Sequence, residues 1–540
     1  YGGVKTLYDK NVAAGAGANG WTSDLVAYKA GTQTLFNNNV EGLESIADLL
    51  GLKPRDKQRV YVKSYHAGLK KGGGWFVFDA SSTLAVNSGT VLAANDGTAG
   101  RWLRQYDDYV TPEMFGAKGD NVNDDYSAIM SAIVVAANSV KPCYIDFPST
   151  NYYSSDTINL KNSVRLVGRS TGQSIYPKPL TNIEFASGKD GIVVNRGDTF
   201  GAGGRSSAGG NGGADGAEIY GIGIRQRGYT KVVATSVLDF NTATNQLIGQ
   251  AFANNKFVVG DTVKSLKLDV NNGVVTDYSL TITSVTDVPR VIGVTSTLPL
   301  SVGDTVTGGT SGATAKVAYV AQQTGAIGLT NIVGSFTVGE TVTSGANSAK
   351  ITVMSNSAVS FVVYGYSNLS GTITKDTSLV PMANSGSGFV LRARANIKNC
   401  HADGWAYIGA LVCADGGVNA NLFNFDTVAI NVTGYHGFAT VGGDANSGVI
   451  KAVNVNSNGG YGFFDASFLG NTYVACHLSN SLLGAYYTNT YNNQSALLGC
   501  YSEGLSPLEP FKTPRSTIGR DSVVVGGTHG AGFDERSIGY

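Results

Sequence analysis

The feature that most limits what this chain can fold into is a repeat near its C-terminal end. Residues 428–437, 453–462 and 475–484 (VAINVTGYHG, VNVNSNGGYG, ACHLSNSLLG) begin 25 and 22 residues apart, and residues 499–504 (GCYSEG) follow after a further 24. Residues 399–404 (NCHADG) fit one turn earlier. Periods of this size mark a solenoid. A turn of about 24 residues, divided into strands of three to five residues by Asn, Ser and Gly, fits a parallel β-helix. Cys400, Cys476 and Cys500 fall in one register of the repeat. That register reads as an inward-facing ladder, because buried Cys packs as a small hydrophobe. Gly404-Trp405, Gly437-Phe438 and Gly462-Phe463 also recur, and read as aromatic stacking in or along the coil.

Composition narrows the function. Glycine is 72 of 540 residues, charged residues are 14%, and Lys+Arg equals Asp+Glu at 39 each. With 42% hydrophobic residues the chain can build a core and is not a disordered protein. No basic excess neutralises phosphates, which argues against nucleic-acid binding. No run approaches the ~18 apolar residues of a membrane-spanning helix. The five cysteines, an odd number without CxxC spacing, read as free thiols rather than disulfides or a zinc site. The sequence starts at Tyr1 without Met, which reads as a fragment lacking its N-terminal part.

The N-terminal region has the pattern of a compact α+β head over residues 1–110. Leu43, Ile46, Leu49 and Leu50 give a helical stripe over residues 41–50, stopped by Gly51 and Pro54. Strands are expected at 59–65, 75–79 and 101–105. A longer helix is expected over 124–139, capped by Asp124, with Ile129, Ile133, Val134 and Ala137 on its buried face. Strands then follow at 143–147, 157–160 and 163–167.

This stretch carries a resemblance. Phe115-Gly116-Ala117-Lys118-Gly119-Asp120, then Asp124-Asp125, Ala128-Ile129, Ala132-Ile133, Phe147-Pro148 and Tyr153 are similar to the opening signature of the pectate-lyase-like right-handed β-helix superfamily. Asn121, Lys141-Pro142 and Ser149-Thr150-Asn151 depart from the family's glycine-rich pattern. The signature, with the preceding stretch Arg59 to His66, resembles phage tailspike and tail-fibre depolymerases. It implies a mainly β fold: a right-handed parallel β-helix with a small α+β head. The motif itself reads as structural, with Gly116 and Gly119 in a tight turn and Asp120, Asp124 and Asp125 holding the helix that covers the first coil.

Residues 228–384 lack the coil repeat. They carry three copies of a smaller unit, Val259-Gly260-Asp261-Thr262-Val263, Val302-Gly303-Asp304-Thr305-Val306 and Val338-Gly339-Glu340-Thr341-Val342. These read as antiparallel β modules inserted into the helix. Before them, residues 200–216 are a Gly/Ser/Ala stretch of loop type. The organisation expected is therefore a head (1–110), a first part of the β-helix (111–227), the insertion (228–384), a second part (385–505) and a C-terminal cap or trimerisation segment (506–540).

A β-helix cleft suits an extended polymer lying across coils. Glycoside hydrolysis needs two carboxyl groups, about 5–5.5 Å apart for retention and about 6.5–9.5 Å for inversion. Neighbouring coils lie ~4.8 Å apart, so a stacked pair suits retention and a skip of one coil suits inversion. The acids of the later coils are the candidates: Asp444, Asp465 and Asp415, each in or near a turn, with Glu503 and Asp403, which share a register four coils apart. Glu184, Asp215 and Glu218 form a second set. Trp405, Tyr407, Tyr435, His436, Tyr461 and Arg392 are candidates to hold the sugar. A lyase would use a base near a uronic acid with a cation on its carboxylate, for which Arg392, Arg394 and Lys398 with His401 or Tyr407 are available. No metal site or cofactor is expected. The resemblance implies a virion tail protein that acts at the bacterial surface. Its expected partners are surface polysaccharide, two further copies in a homotrimer, and the phage tail or baseplate through the missing N-terminal part. The expected activity is cleavage of capsular or other surface polysaccharide, by hydrolysis first and β-elimination second. The rival reading is a non-catalytic glycan-binding fibre.

Overall fold

The computed structural model describes residues 42–529 except 162, 171–178, 196–214, 253–254, 271, 296–298, 322–324, 356–360, 415–418, 489–493, 504–509, 512–515 and 520. It divides into two compact units, one ending at Lys118 and one beginning at Gly119.

In the first unit, strands Arg59–Ser64, Gly72–Asp79, Arg101–Arg104 and Val91–Leu92 form one four-stranded sheet in that spatial order. Strict alternation of exposed and buried residues along Arg59–Ser64 puts Val60 and Val62 on the core, with Phe76, Phe78 and Trp102 opposite. The helix is shorter than its apolar stripe suggests, Ile46–Leu50, because Ser45 and Asp48 close a capping box in front of it.

The second unit opens with strand Asp120–Asp124 and the helix Tyr126–Ala137. Asp125, not Asp124, holds the N-cap position. Asp124 instead accepts from the Tyr126 and Ser155 N–H groups (3.1 and 3.0 Å) and from Ser155 Oγ (2.6 Å). The buried Asp125 carboxylate accepts from the N–H groups of Gly119 and Tyr153, so it pins the helix to the first coil. The core face of the helix is Ala128, Ile129, Ala132, Ile133 and Ala136, while Val134 is 54% exposed. The small alanines let the helix lie close, and position 134 lies off that stripe.

Each coil then gives one strand to each of three parallel sheets. The first face contains Tyr144–Asp146, Arg165–Val167, Ala217–Tyr220, Ala395–Lys398, Asn424–Asp426, Val449–Lys451, Thr472–Val474, Ala496–Leu498 and Val523–Val525. The second runs from Asp120–Asp124 through Asn151–Ser154, Thr181–Phe185, Ile222–Gln226, His401–Trp405, Ala429–Thr433, Asn454–Asn458 and His477–Ser481 to Tyr501–Glu503 and Thr528–His529. The third stacks Ile158–Leu160, Ile192–Val194, Phe389–Leu391, Ala410–Cys413, Phe438–Gly442, Tyr461–Ser467 and Gly484–Thr488. The fold is thus the parallel β-helix expected from the repeat.

The corner between first and second faces is one residue with positive φ in coil after coil: Gly221, Asn399, Thr427, Ala452, Ala475, Gly499 and Gly526, at φ 50–69°. One left-handed residue turns the chain sharply without a loop, at a cost that most side chains resist. Immediately after it, Cys400, Cys476 and Cys500 point inward at 0–1% exposure, as the repeat register requires. Phe438, Phe463 and Tyr486 stack inside the third face, with the last two rings 5.0 Å apart and 5° from parallel.

The insertion splits a single coil. The chain leaves after the second-face strand Ile222–Gln226 and returns at the third-face strand Phe389–Leu391. In between it closes two six-stranded antiparallel barrels, one nested in the other. The outer barrel joins Thr235–Asn241, Gln246–Ala251, Phe361–Ser370, Gly273–Val288, Thr262–Asp269 and Thr377–Pro381. The inner one joins Arg290–Val294, Ala326–Val333, Thr314–Val320, Thr305–Gly308, Thr341–Ser344 and Asn347–Met354. The three sequence repeats form one turn three times. Gly260, Gly303 and Gly339 take φ of 95, 98 and 94°, and the following acid caps an N–H three residues back (Asp261 to Val258, Asp304 to Ser301, Glu340 to Thr337). One copy serves the outer barrel and two the inner.

The outer barrel covers the third face. Val193, Val390, Leu411 and Ala439, which point outward there, pack with Val232, Ala234, Leu266 and Val380 of the insertion. That face is therefore closed to a polymer over the early coils.

Candidate active site

The second face remains open, and its outward positions form two polar columns. One reads Asn182, Gly223, His401, Ala429, Asn454, His477 and Tyr501, and the other Tyr153, Glu184, Arg225, Asp403, Asn431, Asn456, Ser479 and Glu503. Asp403 and Glu503 do share a column and are four strands apart, roughly 19 Å at the interstrand spacing. They do not form a pair within one chain. Glu503 instead accepts from Tyr501 OH (3.1 Å) and lies 3.6 Å from His477 Nε2. His401 Nε2 lies 2.9 Å from Asn431 Nδ2, and burial lowers its pKa against the pull of the Asp403 charge. Glu184 is bound by Arg225 (3.1 Å) and Arg227 (2.8 Å), and Arg227 also covers the Tyr153 ring at 3.8 Å. Glu218 is paired with Arg165 (3.2 Å), and Asp215 accepts from the Arg394 N–H.

Several expected site residues are inside the molecule. Asp465 is 0% exposed and faces inward on the third face. Its two oxygens accept from Thr440 Oγ1, the Ser467 N–H and Oγ, Asn471 Nδ2, Tyr473 OH and Ser495 Oγ, at 2.6–3.1 Å. A carboxylate so enclosed cannot reach a polymer. Asp444 is half-buried in the turn just beyond the parallel neighbouring strand Phe438–Gly442, where its backbone bonds Ala414 and Ala420, and it is not among the groups that bind the Asp465 carboxylate. Asp415 lies outside the described residues, as do most of the loop 200–216 and most of the segment 506–540.

The aromatic candidates divide in the same way. Trp405 is 0% exposed and packs on Phe185 inside the coil. Tyr435, His436 and Tyr461 are buried too, at 7%, 1% and 7% exposed. The His436 ring is sandwiched between Tyr435 (3.8 Å) and Phe464 (4.4 Å), and its Nδ1 accepts the Tyr461 N–H. Burial pushes its pKa down to about 3, so it is a neutral packing group. Tyr407 and Arg392 alone among the six stay half-exposed, at the edge of the insertion.

Arg392 follows the third-face strand Phe389–Leu391, whereas Tyr407 lies at the corner between second and third faces, which gathers groups the sequence did not single out. Ile158 and Ile192 are paired in register, which puts Asp156 and Asp190 at equivalent positions two residues earlier on adjacent coils. The bond from Thr157 Oγ1 to the Asp190 carbonyl (3.1 Å) ties the two corners together. Their environments differ. Asp156 takes an ion pair from Lys189 (2.9 Å), and that contact with the Thr157 N–H lowers its pKa. Asp190 is raised by burial, against the Ser387 N–H it accepts (2.7 Å) and the Arg392 charge. Two coils further on, Tyr407 OH accepts from Lys264 Nζ (2.8 Å), a residue of the outer barrel. Burial raises the Tyr407 pKa, with the Asp190 charge adding to it. Among the described residues, no group of three or more His, Cys, Asp or Glu side chains is arranged to hold a metal ion. No described helix is long and apolar enough to cross a membrane.

Comparison with known proteins fits this architecture. Residues 42–107 match the family described as phage tail protein small four-stranded beta-sheet domain. Residues 112–208 match rhamnogalacturonase A/epimerase, pectate lyase-like. The two matches follow one another along the first part of the chain, a phage-tail β-sheet domain and then a pectate-lyase-like segment, and together cover under a third of it. Among individual proteins, it is 33% identical over 108 residues to a capsule K2-specific depolymerase of Klebsiella phage vB_KpnP_KpV74, covering 20% of this chain and 18% of that protein. It is 32% identical over 121 residues to a capsule K30/K69-specific depolymerase of Klebsiella phage K5-2, covering 22% of this chain and 13% of that one. The matched part is thus under a fifth of either relative. A solved tailspike of Acinetobacter baumannii bacteriophage Fri1, described as a capsular polysaccharide depolymerase, aligns over 89% of this chain and 61% of its own at 11% identity and a TM-score of 0.47.

Proposed function

We propose that this chain binds and hydrolyses a bacterial surface polysaccharide, with Asp190 as general acid and Asp156 as the ionised carboxylate. The observation that carries the reading is the stacked pair with oppositely shifted pKa values. Groups whose environments push their pKa values apart divide acid from base. Asp190, raised by burial, keeps a proton to give to the leaving oxygen, while Asp156, held by Lys189, stays charged. Asp156 on the adjacent coil attacks or activates water. A stack at ~4.8 Å favours retention, with a covalent glycosyl intermediate on Asp156. The open second face beside the corner, with Asn182, Asn431 and Asn456, offers hydrogen bonds to sugar hydroxyls along the coil axis.

The test is incubation with purified capsular polysaccharide. Falling viscosity with new reducing ends is expected, and the first product should keep its anomeric configuration by NMR. An inverted product would make Asp156 a base rather than a nucleophile. Products with the near-ultraviolet absorbance of an unsaturated sugar would replace hydrolysis by elimination. No cleavage of any capsule, with binding retained, would leave a glycan-binding fibre.

A homotrimer is the second part of the proposal. The outward columns of the first face turn apolar towards the end of the helix: Asn424 is followed by Val449, Thr472, Ala496 and Val523, and Asp426 by Lys451, Val474, Leu498 and Val525. Val449, Val523 and Val525 are 40–56% exposed, a stripe that a second copy would cover. Light scattering should give three times the chain mass, and the double variant Val523→Asp with Val525→Asp should lower it. A monomeric wild type ends this part of the reading.

A further inference from the structure

Lys264 presents a physical problem. It is 7% exposed, pairs with Val380 in the outer barrel, and among the described residues donates to Tyr407 OH alone, with its ammonium 5.1 Å from the centre of that ring. Among the described residues no carboxylate is in ion-pair reach of it. A buried ammonium without an anion is costly, because burial removes water and nothing replaces it. A phenol and a cation–π contact offset part of that cost only. Burial accordingly lowers its pKa. The vacant requirement is for a negative charge arriving from outside, at the edge where Tyr407 is still half-exposed.

We infer that Lys264 and Tyr407 form a subsite for a carboxylate-bearing sugar, so that the inserted barrel reads the acidic residue of the polymer. The inference rests on the chain being a polysaccharide-binding protein, and goes beyond it by naming the substrate class and by giving the insertion a part in recognition. The geometry is consistent along the helix. Tyr407 lies two coils from the corner of Asp190, roughly 9.6 Å along the axis. A polymer that crosses the coils at this corner passes both. The Tyr407 hydroxyl accepts from Lys264 and has its own proton to donate, so a carboxylate there takes one charge-assisted bond from Nζ and one from the phenol.

The probe is methyl β-D-glucuronide, compared with the uncharged methyl β-D-glucoside, with binding followed by saturation-transfer NMR at pH 7. The wild type is expected to bind the glucuronide, more weakly as salt is added, and to ignore the glucoside. Lys264→Met should weaken glucuronide binding by at least tenfold and Tyr407→Phe by a few-fold, each with an unchanged near-ultraviolet circular dichroism spectrum. If Lys264→Met fails that spectral test, Lys264→Gln takes its place. Equal binding by wild type and Lys264 variant, equal binding of both sugars, or no glucuronide binding to the wild type overturns the subsite. Asp190→Asn should bind the glucuronide as the wild type does. A failure of the hydrolytic mechanism is read there, by cleavage that persists, and leaves the glucuronide comparison intact.

Discussion

Asp190→Asn is expected to reduce reducing-end release by about 10²–10⁴-fold, the usual contribution of a general acid, with binding unchanged. The amide keeps the bond from the Ser387 N–H and loses only the transferable proton. Asp156→Asn should be at least as damaging, since no ionised group replaces it. The pH profile follows from the two shifts. Activity rises as Asp156 ionises, below its ordinary 3.8, and falls as Asp190 loses its proton, above 3.8. The Asp190 variant has a second, opposite signature. A carboxyl whose folded pKa is raised stabilises the fold fully below its unfolded pKa, and that contribution is lost as pH rises through the folded value. At pH 7 burying Asp190 therefore costs stability that Asn does not lose, so Asp190→Asn should melt higher at pH 7 and not at pH 3. Lower activity with higher stability is the trade expected of a catalytic group. A variant that keeps full activity, or melts lower at pH 7, removes Asp190 from the mechanism.

Asp465→Ala should do the reverse. The substitution takes one carboxyl group from the centre of a buried network and removes an acceptor from donors on Thr440, Ser467, Asn471, Tyr473 and Ser495. Breaking such a buried set costs about 3–5 kcal/mol, so the melting transition should fall by many degrees or folded protein should not accumulate. Asp465→Asn keeps the shape, turns one acceptor into a donor, and should be destabilised less. Whatever folds should cleave at the wild-type rate per folded molecule. If Asp465→Asn melts like the wild type yet is inactive, the acid works in catalysis and the buried network is not its role.

The fold was largely legible because its causes are local and periodic. The coil repeat needs one left-handed corner residue followed by one small inward residue, and sequences such as Asn399-Cys400, Ala475-Cys476 and Gly499-Cys500 display that spacing directly. The three Gly-Asp and Gly-Glu turns of the insertion were equally plain, since each acid caps its own turn. Their closure into nested barrels was not, because barrel order depends on pairings such as Thr235 with Leu379 that have no local signal. The site was least legible. An inward Asp and an outward Asp look alike in a turn-rich sequence: Asp465 sits at an inward position within its strand, and Asp444 in the turn after the parallel neighbouring strand. Asp156 and Asp190 were findable in principle. Asp156-Thr157-Ile158 and Asp190-Gly191-Ile192 each open a third-face strand in the same register, but the early coils differ too much in length for the repeat to be seen. Lys264 carried no signal, because its neighbour Tyr407 is 143 residues away.

The split coil has a consequence for how the molecule comes into being. The first and last strands of the insertion, Thr235–Asn241 and Thr377–Pro381, pair with each other, so the outer barrel brings its own ends together. To the helix, the whole excursion then behaves as a short loop, and the entropic cost of closing the coil depends little on the residues inside it. During synthesis the third coil cannot close until Phe389 has emerged, by which time the whole chain of both barrels has been made. The residues of the insertion thus precede the later coils in the order of synthesis, and with them the surface that those coils pack against. Because its two ends meet at one corner, the insertion is also a unit whose replacement leaves the strands of the helix itself unchanged.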